Sequence, residues 1–287
     1  MISSLILNIG NNTGGVVNLA KCISIFVFWL SVQLLTNAQE VPTVVILADD
    51  AYPPYSFVED GQLKGIYVDM LRFAAKQLSP HYRIELRPTP WQRGLADLAD
   101  GRGFALIPPY KHIDKRPYIW PYSVALLSET VVAMCHKDVD INGYIGRQLN
   151  SLALPINVGI NAGYRILSEE LINAVNKGTI KLQENKDTQS NVLKLLHRRI
   201  DCYVNDRYST LWELKQVKLM HPNAKFEQIV LEESLIVMKQ TAHIGYTDSE
   251  AHGYSYKQDF VERMNSAIER FQASDSFSQL LQSYALP

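Results

Sequence analysis

The sequence predicts an α/β protein in which helices pack against a largely parallel sheet. Two observations lead to this prediction. From Val41 onward, short β-branched runs alternate with segments whose apolar residues recur at helical spacing. After the run Glu129–Cys135 the alternation begins again, so the chain carries two successive rounds of the pattern. The polar stretches 142–150 and 241–255 are candidate boundaries between two lobes.

The first round opens with a strand at Val44–Ala48 and continues into a helix. A second helix is expected to begin at Pro90 with Thr89 as its cap, and to end at Gly101. The strand Phe104–Ile107 follows. The apolar faces of the two helices are formed by Met70, Leu71, Ala74, Ala75 and Leu78, and by Trp91, Leu95 and Leu98.

The second round opens with a strand at Asn157–Ile160 and a turn at Gly163. A helix that ends at Gly178 comes next, followed by a helix capped by Thr188 that leads into the strand Ile200–Val204. Two helices close the chain. The apolar stripes of these four helices contain Leu167, Leu171 and Val175; Val192, Leu195 and Leu196; Phe260, Met264, Ala267, Ile268 and Phe271; and Phe277, Leu280, Leu281 and Tyr284.

The first 38 residues have the character of a signal peptide. They contain no acidic residue and one basic residue, Lys21, which precedes the 14-residue apolar run Cys22–Leu35. That run is shorter than the roughly 20 residues that span a bilayer. Because Thr36-Asn37-Ala38 is a small-x-small cleavage pattern, we predict export to the periplasm with cleavage after Ala38. An uncleaved membrane anchor and a later start codon are the alternatives.

Composition excludes several classes of function. The formal net charge is −1, so no basic excess indicates nucleic acid or an anionic membrane surface as a partner. No HExxH, GxSxG or phosphate-loop motif is present, and the seven histidines lack metal-ligand spacing. We expect neither a cofactor nor a metal. Cys135 and Cys202 lie in strand-like runs, where buried free thiols are the expected state and a disulfide is the alternative.

The loops that follow the strands are the candidate binding loops. In open α/β sheets, ligands bind at the carboxyl ends of the strands. Four loops meet this description: 49–55, 108–110, 161–165 and 205–207.

The sequence motifs resemble those of a known family. The segment Ala48-Asp-Asp-Ala-Tyr-Pro-Pro-Tyr-Ser-Phe57 is followed by Gly61, Gly65 and Val68-Asp69. This order is similar to the opening signature of the family 3 periplasmic solute-binding proteins. Further similar motifs are Pro90-Trp91, Leu98-x-x-Gly101, Asp114-Lys115-Arg116, Pro121-Tyr122-Ser123, Arg199-Ile-Asp-Cys-Tyr-Val-Asn-Asp206 and Met264-Asn265-x-Ala267.

The resemblance implies a type II two-lobe fold, with each lobe a mainly parallel sheet flanked by helices and two crossing strands as the hinge. It places residues 39–135 and 241–287 in the first lobe and residues 136–240 in the second. The implied role is to trap a small polar solute by hinge closure and to deliver it to a membrane permease. A monomer is expected.

The resemblance also implies the ligand contacts. Arg116 matches the arginine that binds the ligand carboxylate, and Asp206 matches the acid that binds its ammonium group. Asp49 matches a second acid, and Tyr52 and Trp91 match aromatic walls. Each has a structural alternative: a salt bridge for Arg116, a helix cap for Asp206, a solvated loop for Asp49, and packing for the two aromatic residues.

Departures from the family pattern concern the neutral donors to the carboxylate. Pro108, Pro109 and Tyr110 replace small hydroxyl residues, Tyr164 and Arg165 follow Gly163 in place of Ser or Thr, and Phe104 replaces an aspartate. We therefore count Tyr110, Tyr164 and Arg165 as candidate contacts. We expect the ligand to be an amino acid or a larger or more acidic relative, such as a dicarboxylate, a peptide fragment or an opine-like compound.

The sequence thus predicts a binding protein for import of an amino-acid-like or related carboxylate solute. A sensory binding protein that serves a membrane receptor is one alternative. A dehydratase-like periplasmic enzyme on the same fold is another, because carboxylates in a cleft can perform acid–base chemistry. No catalytic residue is predicted.

Overall fold

The computed structural model of this chain describes residues 40–146, 154–222, 224–250 and 252–284. The predicted signal peptide lies outside the described residues, as does part of the polar stretch 142–150. No helix in the described part of the chain is both long and apolar enough to cross a bilayer.

The first of two five-stranded sheets has the strand order β5-β1-β6-β13-β7. Strand β1 pairs in parallel with β5 and β6, whereas β13 is antiparallel to both β6 and β7. The strands are β1 (Thr43–Asp49), β5 (Arg83–Thr89), β6 (Ala105–Ile107), β7 (Ile119–Tyr122) and β13 (Gly245–Thr247).

The second sheet has the order β10-β9-β11-β8-β12. Strands β9, β10 and β11 run parallel, and β8 is antiparallel to β11 and β12. The strands are β8 (Ser128–His136), β9 (Ile156–Asn161), β10 (Ile180–Asn185), β11 (Cys202–Asp206) and β12 (Leu231–Thr241). Both sheets are therefore mixed rather than mainly parallel, because one strand in each, β13 in the first and β8 in the second, runs antiparallel to both of its neighbours.

Eight α-helices flank the sheets in the part of the chain that the structure describes. Their bounds are α1 (Ile66–Leu78), α2 (Trp91–Ala99), α3 (Ile141–Gly146), α4 (Glu169–Asn176), α5 (Thr188–Leu196), α6 (Arg207–Met220), α7 (Lys257–Gln272) and α8 (Asp275–Ser283). The predicted apolar faces of α1, α5 and α7 are buried, except that Ala75 is only half-buried. The burial of these faces against the sheets forms the core.

Two predicted helix caps are wrong. Thr89 is the last residue of β5 and pairs with Asp49 of β1, so its backbone is in the sheet and Pro90 precedes α2. At α5 the cap is Asp187, whose carboxylate accepts a hydrogen bond from the Ser190 backbone amide at 2.8 Å. An aspartate satisfies this position and also complements the positive end of the helix dipole.

A small antiparallel sheet leads into α1. It consists of β2 (Ala51–Tyr52), β3 (Ser56–Glu59) and β4 (Gln62–Lys64). Gly65 ends it with a φ of +123°, and a Cβ atom there would lie 2.3 Å from the Tyr55 carbonyl oxygen. Glycine is required at this turn, which sets Tyr55 of the loop against Tyr67 of the helix with ring centroids 5.0 Å apart.

The chain passes between the lobes through two adjacent segments. The backbone amide of Leu126 donates to the Ala242 carbonyl, and the amide of Ala242 donates to the Leu127 carbonyl. Beyond them β8 and β12 pair along their length, and both belong to the second sheet. The boundaries expected after residues 135 and 240 lie at the ends of β8 and β12, and both strands belong to the second sheet.

The two cysteines are joined, so the prediction of free thiols is wrong. The antiparallel register of β8 and β11 sets Cys135 directly opposite Cys202, with a Cα–Cα distance of 4.1 Å, and the residues form a disulfide. This separation is close to that of a non-hydrogen-bonded antiparallel pair. A disulfide is consistent with export to an oxidising compartment.

Candidate functional site

A cavity between the lobes gathers seven of the eight candidate residues. The volume available to the centres of water molecules is about 30 Å³. This is room for a water molecule or two. Its lining consists of Asp49, Tyr52, Trp91, Pro108, Tyr110, His112, Arg116, Tyr164, Arg165 and Ile166. Asp206 is the candidate residue that is not part of this lining.

Arg116 is buried in the cavity wall with 5% of its surface exposed. Its Nη2 donates to the Gly163 carbonyl of the second lobe at 2.9 Å, and its guanidinium lies 5.4 Å from the centre of the Trp91 ring. It makes no ion pair with any carboxylate in the described ranges. The salt-bridge alternative is therefore not what the structure shows. Burial lowers the pKa of this guanidinium.

The Asp49 carboxylate lies at the end of β1 and is 2% exposed. One oxygen accepts from the Ala51 amide at 3.0 Å, and the other accepts from the Tyr164 hydroxyl of the second lobe at 3.4 Å. Burial raises its pKa to about 7, and the Ala51 amide opposes the shift. The alternative of a solvated loop acid is therefore not what the structure shows. The Tyr164 ring packs edge-on against Tyr52 and Trp91.

Glu129 was not predicted as a site residue. It lies near the start of β8, is 1% exposed, and accepts three tyrosine hydroxyls. Tyr52 and Tyr110 each donate to Oε2 at 2.5 Å, and Tyr67 donates to Oε1. Burial raises the pKa of Glu129 to about 8, the nearby negative charge of Asp206 adds to the shift, and the hydroxyls oppose it. A single acid within an apolar strand was its only sequence signal.

Asp206 is fully buried at the start of α6, behind the cavity lining. Its Oδ1 accepts from the Ser209 amide at 2.9 Å, so the helix-cap alternative is correct as a description of the local structure. The same oxygen accepts from the Tyr55 hydroxyl of the first lobe at 2.9 Å. Its Oδ2 is buried and has no hydrogen-bond partner among the described residues. Burial raises the pKa of Asp206 to about 6.

Two further groups bear on recognition. The Trp91 indole Nε1 is buried and has no hydrogen-bond partner in the described ranges. His112, which was not predicted, lines the cavity; burial, with Arg116 and Lys115 nearby, lowers its pKa to about 4. The imidazole is therefore neutral at physiological pH and can either donate or accept a hydrogen bond.

Some of the residues that depart from the family pattern line the cavity, and one lies in the core. Pro108 and Tyr110 line the cavity, as does Arg165, which is exposed at its edge. Phe104 instead packs against Tyr246, with ring centroids 5.4 Å apart, and belongs to an aromatic cluster in the first lobe. Its replacement of an aspartate therefore changes the core rather than the cavity. Within the described ranges, no group of three or more His, Cys, Asp or Glu side chains could hold a metal ion.

Comparison with known proteins gives one family match and one group of curated relatives. A model for the bacterial extracellular solute-binding proteins, family 3, matches residues 44–287. The L-cystine-binding protein TcyJ of Escherichia coli (strain K12) is 26% identical over 181 residues, which cover 62% of this chain and 64% of TcyJ. The matching part of the chain thus spans a little under two thirds of the length of that relative.

Solved structures share the fold. The arginine-, lysine-, histidine-binding protein ArtJ from Geobacillus stearothermophilus superposes with a TM-score of 0.62 at 16% identity, covering 85% of this chain and 95% of ArtJ. A histidine kinase sensor domain with similarity to periplasmic binding proteins gives a TM-score of 0.64 at 14% identity, covering 85% of this chain and 96% of that domain. At these identities the likeness concerns the fold alone.

Proposed function

The chain belongs to the bacterial extracellular solute-binding proteins of family 3, and from this premise we propose that it captures an amino-acid-like solute between its lobes in the periplasm. The solute is then delivered to an ABC-type membrane permease. In this proposal the exported chain begins after Ala38 and acts as a monomer. The lobes close about the two crossing segments that precede β8 and follow β12.

Arg116 carries the proposal. A buried guanidinium without an anionic partner is costly, because its charge is removed from water; among the described residues a carbonyl oxygen and an aromatic face are its compensation. A ligand carboxylate would supply the missing charge, and the planar guanidinium suits two parallel hydrogen bonds. The indole N–H of Trp91, which has no partner among the described residues, offers a further hydrogen-bond donor to a carboxylate at this end of the cavity.

The other groups around the cavity are acidic. Asp49 lines it, and Glu129 and Asp206 lie behind its tyrosines. A solute with a carboxylate at one end and an ammonium at the other would match both poles. This arrangement favours a zwitterionic solute over the dicarboxylate that the sequence left open. The exposed Arg165 remains a candidate second contact for the carboxylate.

The names of the relatives suggest which solutes to test. We propose a calorimetric panel of L-cystine, L-arginine, L-lysine and L-histidine, with L-glutamate as the dicarboxylate comparison, against protein purified after export. Arg116→Gln should weaken binding of any hit by at least about 30-fold, because it leaves a carboxylate buried without its cation. Arg72→Gln is the control, since Arg72 is half-exposed on α1 and pairs with Asp69. Equal affinity of wild type and Arg116→Gln would refute the proposal.

The two possible roles, import and sensing, differ in the membrane protein that the solute-loaded protein serves. If deletion of the protein abolishes cellular uptake of the solute, the permease role is supported. Unchanged uptake together with a lost transcriptional or behavioural response to the solute would identify a sensory role instead.

The raised pKa values of the three acids favour a second candidate function, acid–base chemistry on a bound solute. Mass spectrometry of the solute after incubation with the protein tests this candidate. A product of changed mass would establish an enzyme, whereas quantitative recovery of the starting solute supports a binding protein.

A further inference from the structure

Two tyrosines of the cavity share one acceptor. Tyr52 and Tyr110 line the cavity, and both donate to the same Glu129 oxygen at 2.5 Å. Glu129 itself lies behind them and is almost fully buried. A tyrosine hydroxyl has one hydrogen atom. Once that hydrogen is committed to Glu129, each hydroxyl can interact with a solute only as an acceptor.

The surroundings of Glu129 hold the two tyrosine hydroxyls in this orientation. Tyr67 occupies its second oxygen. Neither Glu129 nor its neighbour Asp206 forms an ion pair in the part of the chain that the structure describes. The tyrosine hydroxyls are therefore the main hydrogen-bond partners of the Glu129 side chain, and turning one of them toward the cavity would leave a buried Glu129 oxygen short of a donor.

We propose that Glu129 is a positioning residue that makes the site selective for an ammonium group, by fixing the hydroxyl oxygens of Tyr52 and Tyr110 as hydrogen-bond acceptors toward the solute. This inference rests on the proposed function, because it assigns the recognition of one end of an amino-acid-like solute. The ammonium group meets the acidic pole of the site through tyrosine oxygens. A solute that has a hydroxyl or carbonyl in place of the ammonium offers fewer hydrogens to these oxygens and no charge.

Glu129→Gln reverses part of this network while the side chain keeps its size. The glutamine amide satisfies its neighbours when its oxygen accepts from the fully buried Tyr67 and its two N–H groups donate to Tyr52 and Tyr110. Tyr52 and Tyr110 then each have a hydrogen free to point into the cavity, where it opposes an ammonium group. The variant should therefore change selectivity and not only affinity.

The test compares amino acids with the matching α-hydroxy acids. The probes are L-lysine, L-arginine and L-histidine, each paired with the α-hydroxy acid of the same carbon skeleton, titrated calorimetrically at one pH. Wild type should prefer the amino acid, and Glu129→Gln should reduce the preference by about tenfold or more, since hydrogen bonds to charged groups are the stronger ones. Glu213→Gln is the control, because Glu213 is also a buried glutamate but lies on α6.

A second variant guards against a failure of Glu129→Gln to fold. Tyr110→Phe removes one acceptor oxygen and should also lower the preference, whereas Tyr246→Phe removes a buried hydroxyl without a hydrogen-bond partner in the described ranges and should not. An unchanged preference in Glu129→Gln or Tyr110→Phe, or an equal loss of both members of each pair, overturns the inference. If wild type binds no amino acid of the panel, the proposed function itself fails.

Discussion

The disulfide between β8 and β11 allows a stability prediction with a worked magnitude. Cys135 and Cys202 are 67 residues apart in sequence. Closing a loop of that length restricts the unfolded chain, and the chain-entropy model gives about 4.4 kcal/mol of stabilisation for it. Reduction, or the double substitution Cys135→Ala/Cys202→Ala, should lower the free energy of unfolding by up to this amount. The double variant also loses the packing of two fully buried sulfur atoms.

Urea unfolding followed by tryptophan fluorescence measures the effect. With a slope of about 2–3 kcal/mol per molar urea, the midpoint of wild type should fall by roughly 1.5–2 M when a reductant is added. The double variant is the control, because its midpoint should not respond to the reductant. Thiol titration of the exported, urea-denatured protein without reductant should find neither cysteine free. Two titratable thiols, or a midpoint that reduction leaves unchanged, would refute the reasoning.

Two further predictions concern the buried acids. The folded-state pKa values of Asp49, Glu129 and Asp206 are about 7, 8 and 6, above the ordinary values near 4. The folded protein therefore binds protons at these groups more tightly than the unfolded chain does. The resulting stabilisation is complete below about pH 4 and is lost as the pH rises through about 6–8. The melting temperature of the solute-free protein should fall between pH 5 and pH 9, and a flat or rising profile would contradict this. Asp206→Asn should unfold within about 0.5 kcal/mol of wild type because asparagine also caps helices, while Asp206→Ala should cost about 1 kcal/mol. If calorimetry shows unchanged solute affinity in Asp206→Asn, Asp206 is a cap and not a ligand for the ammonium group.

Sequence patterns predicted the central elements of the fold because buried strands and helices carry a clear pattern of apolar residues in the local sequence. The β-branched runs gave β1 and β9, and the helical stripes gave α1, α5 and α7. The edge strands β5 and β10 were not recognised. They are polar, with sequences RIELRPT and IKLQEN, because an edge strand faces solvent on more sides than a central one.

The candidate loops were predictable for a geometric reason. The carboxyl ends of parallel strands meet at one edge of a sheet, so Asp49 and Tyr110 come together despite their separation in sequence. The disulfide and the role of Glu129 were not predictable, because each depends on which residues lie opposite one another across long stretches of chain. The register of β8 against β11 pairs the cysteines, and the packing of α1 brings Tyr67 to Glu129.

Because hydrogen bonds already join the lobes, a solute that binds there must replace existing hydrogen bonds and does not simply add new ones. Arg116 bonds to the Gly163 carbonyl, Asp49 to the Tyr164 hydroxyl, and Asp206 to the Tyr55 hydroxyl, each across the interlobe gap. A solute that bonds to these side chains replaces contacts that the protein already makes with itself. A solute that interacts weakly with these side chains gains too little free energy to displace the hydrogen bonds between the lobes. The self-contacts thereby set a threshold of interaction energy that a molecule must exceed before it is held.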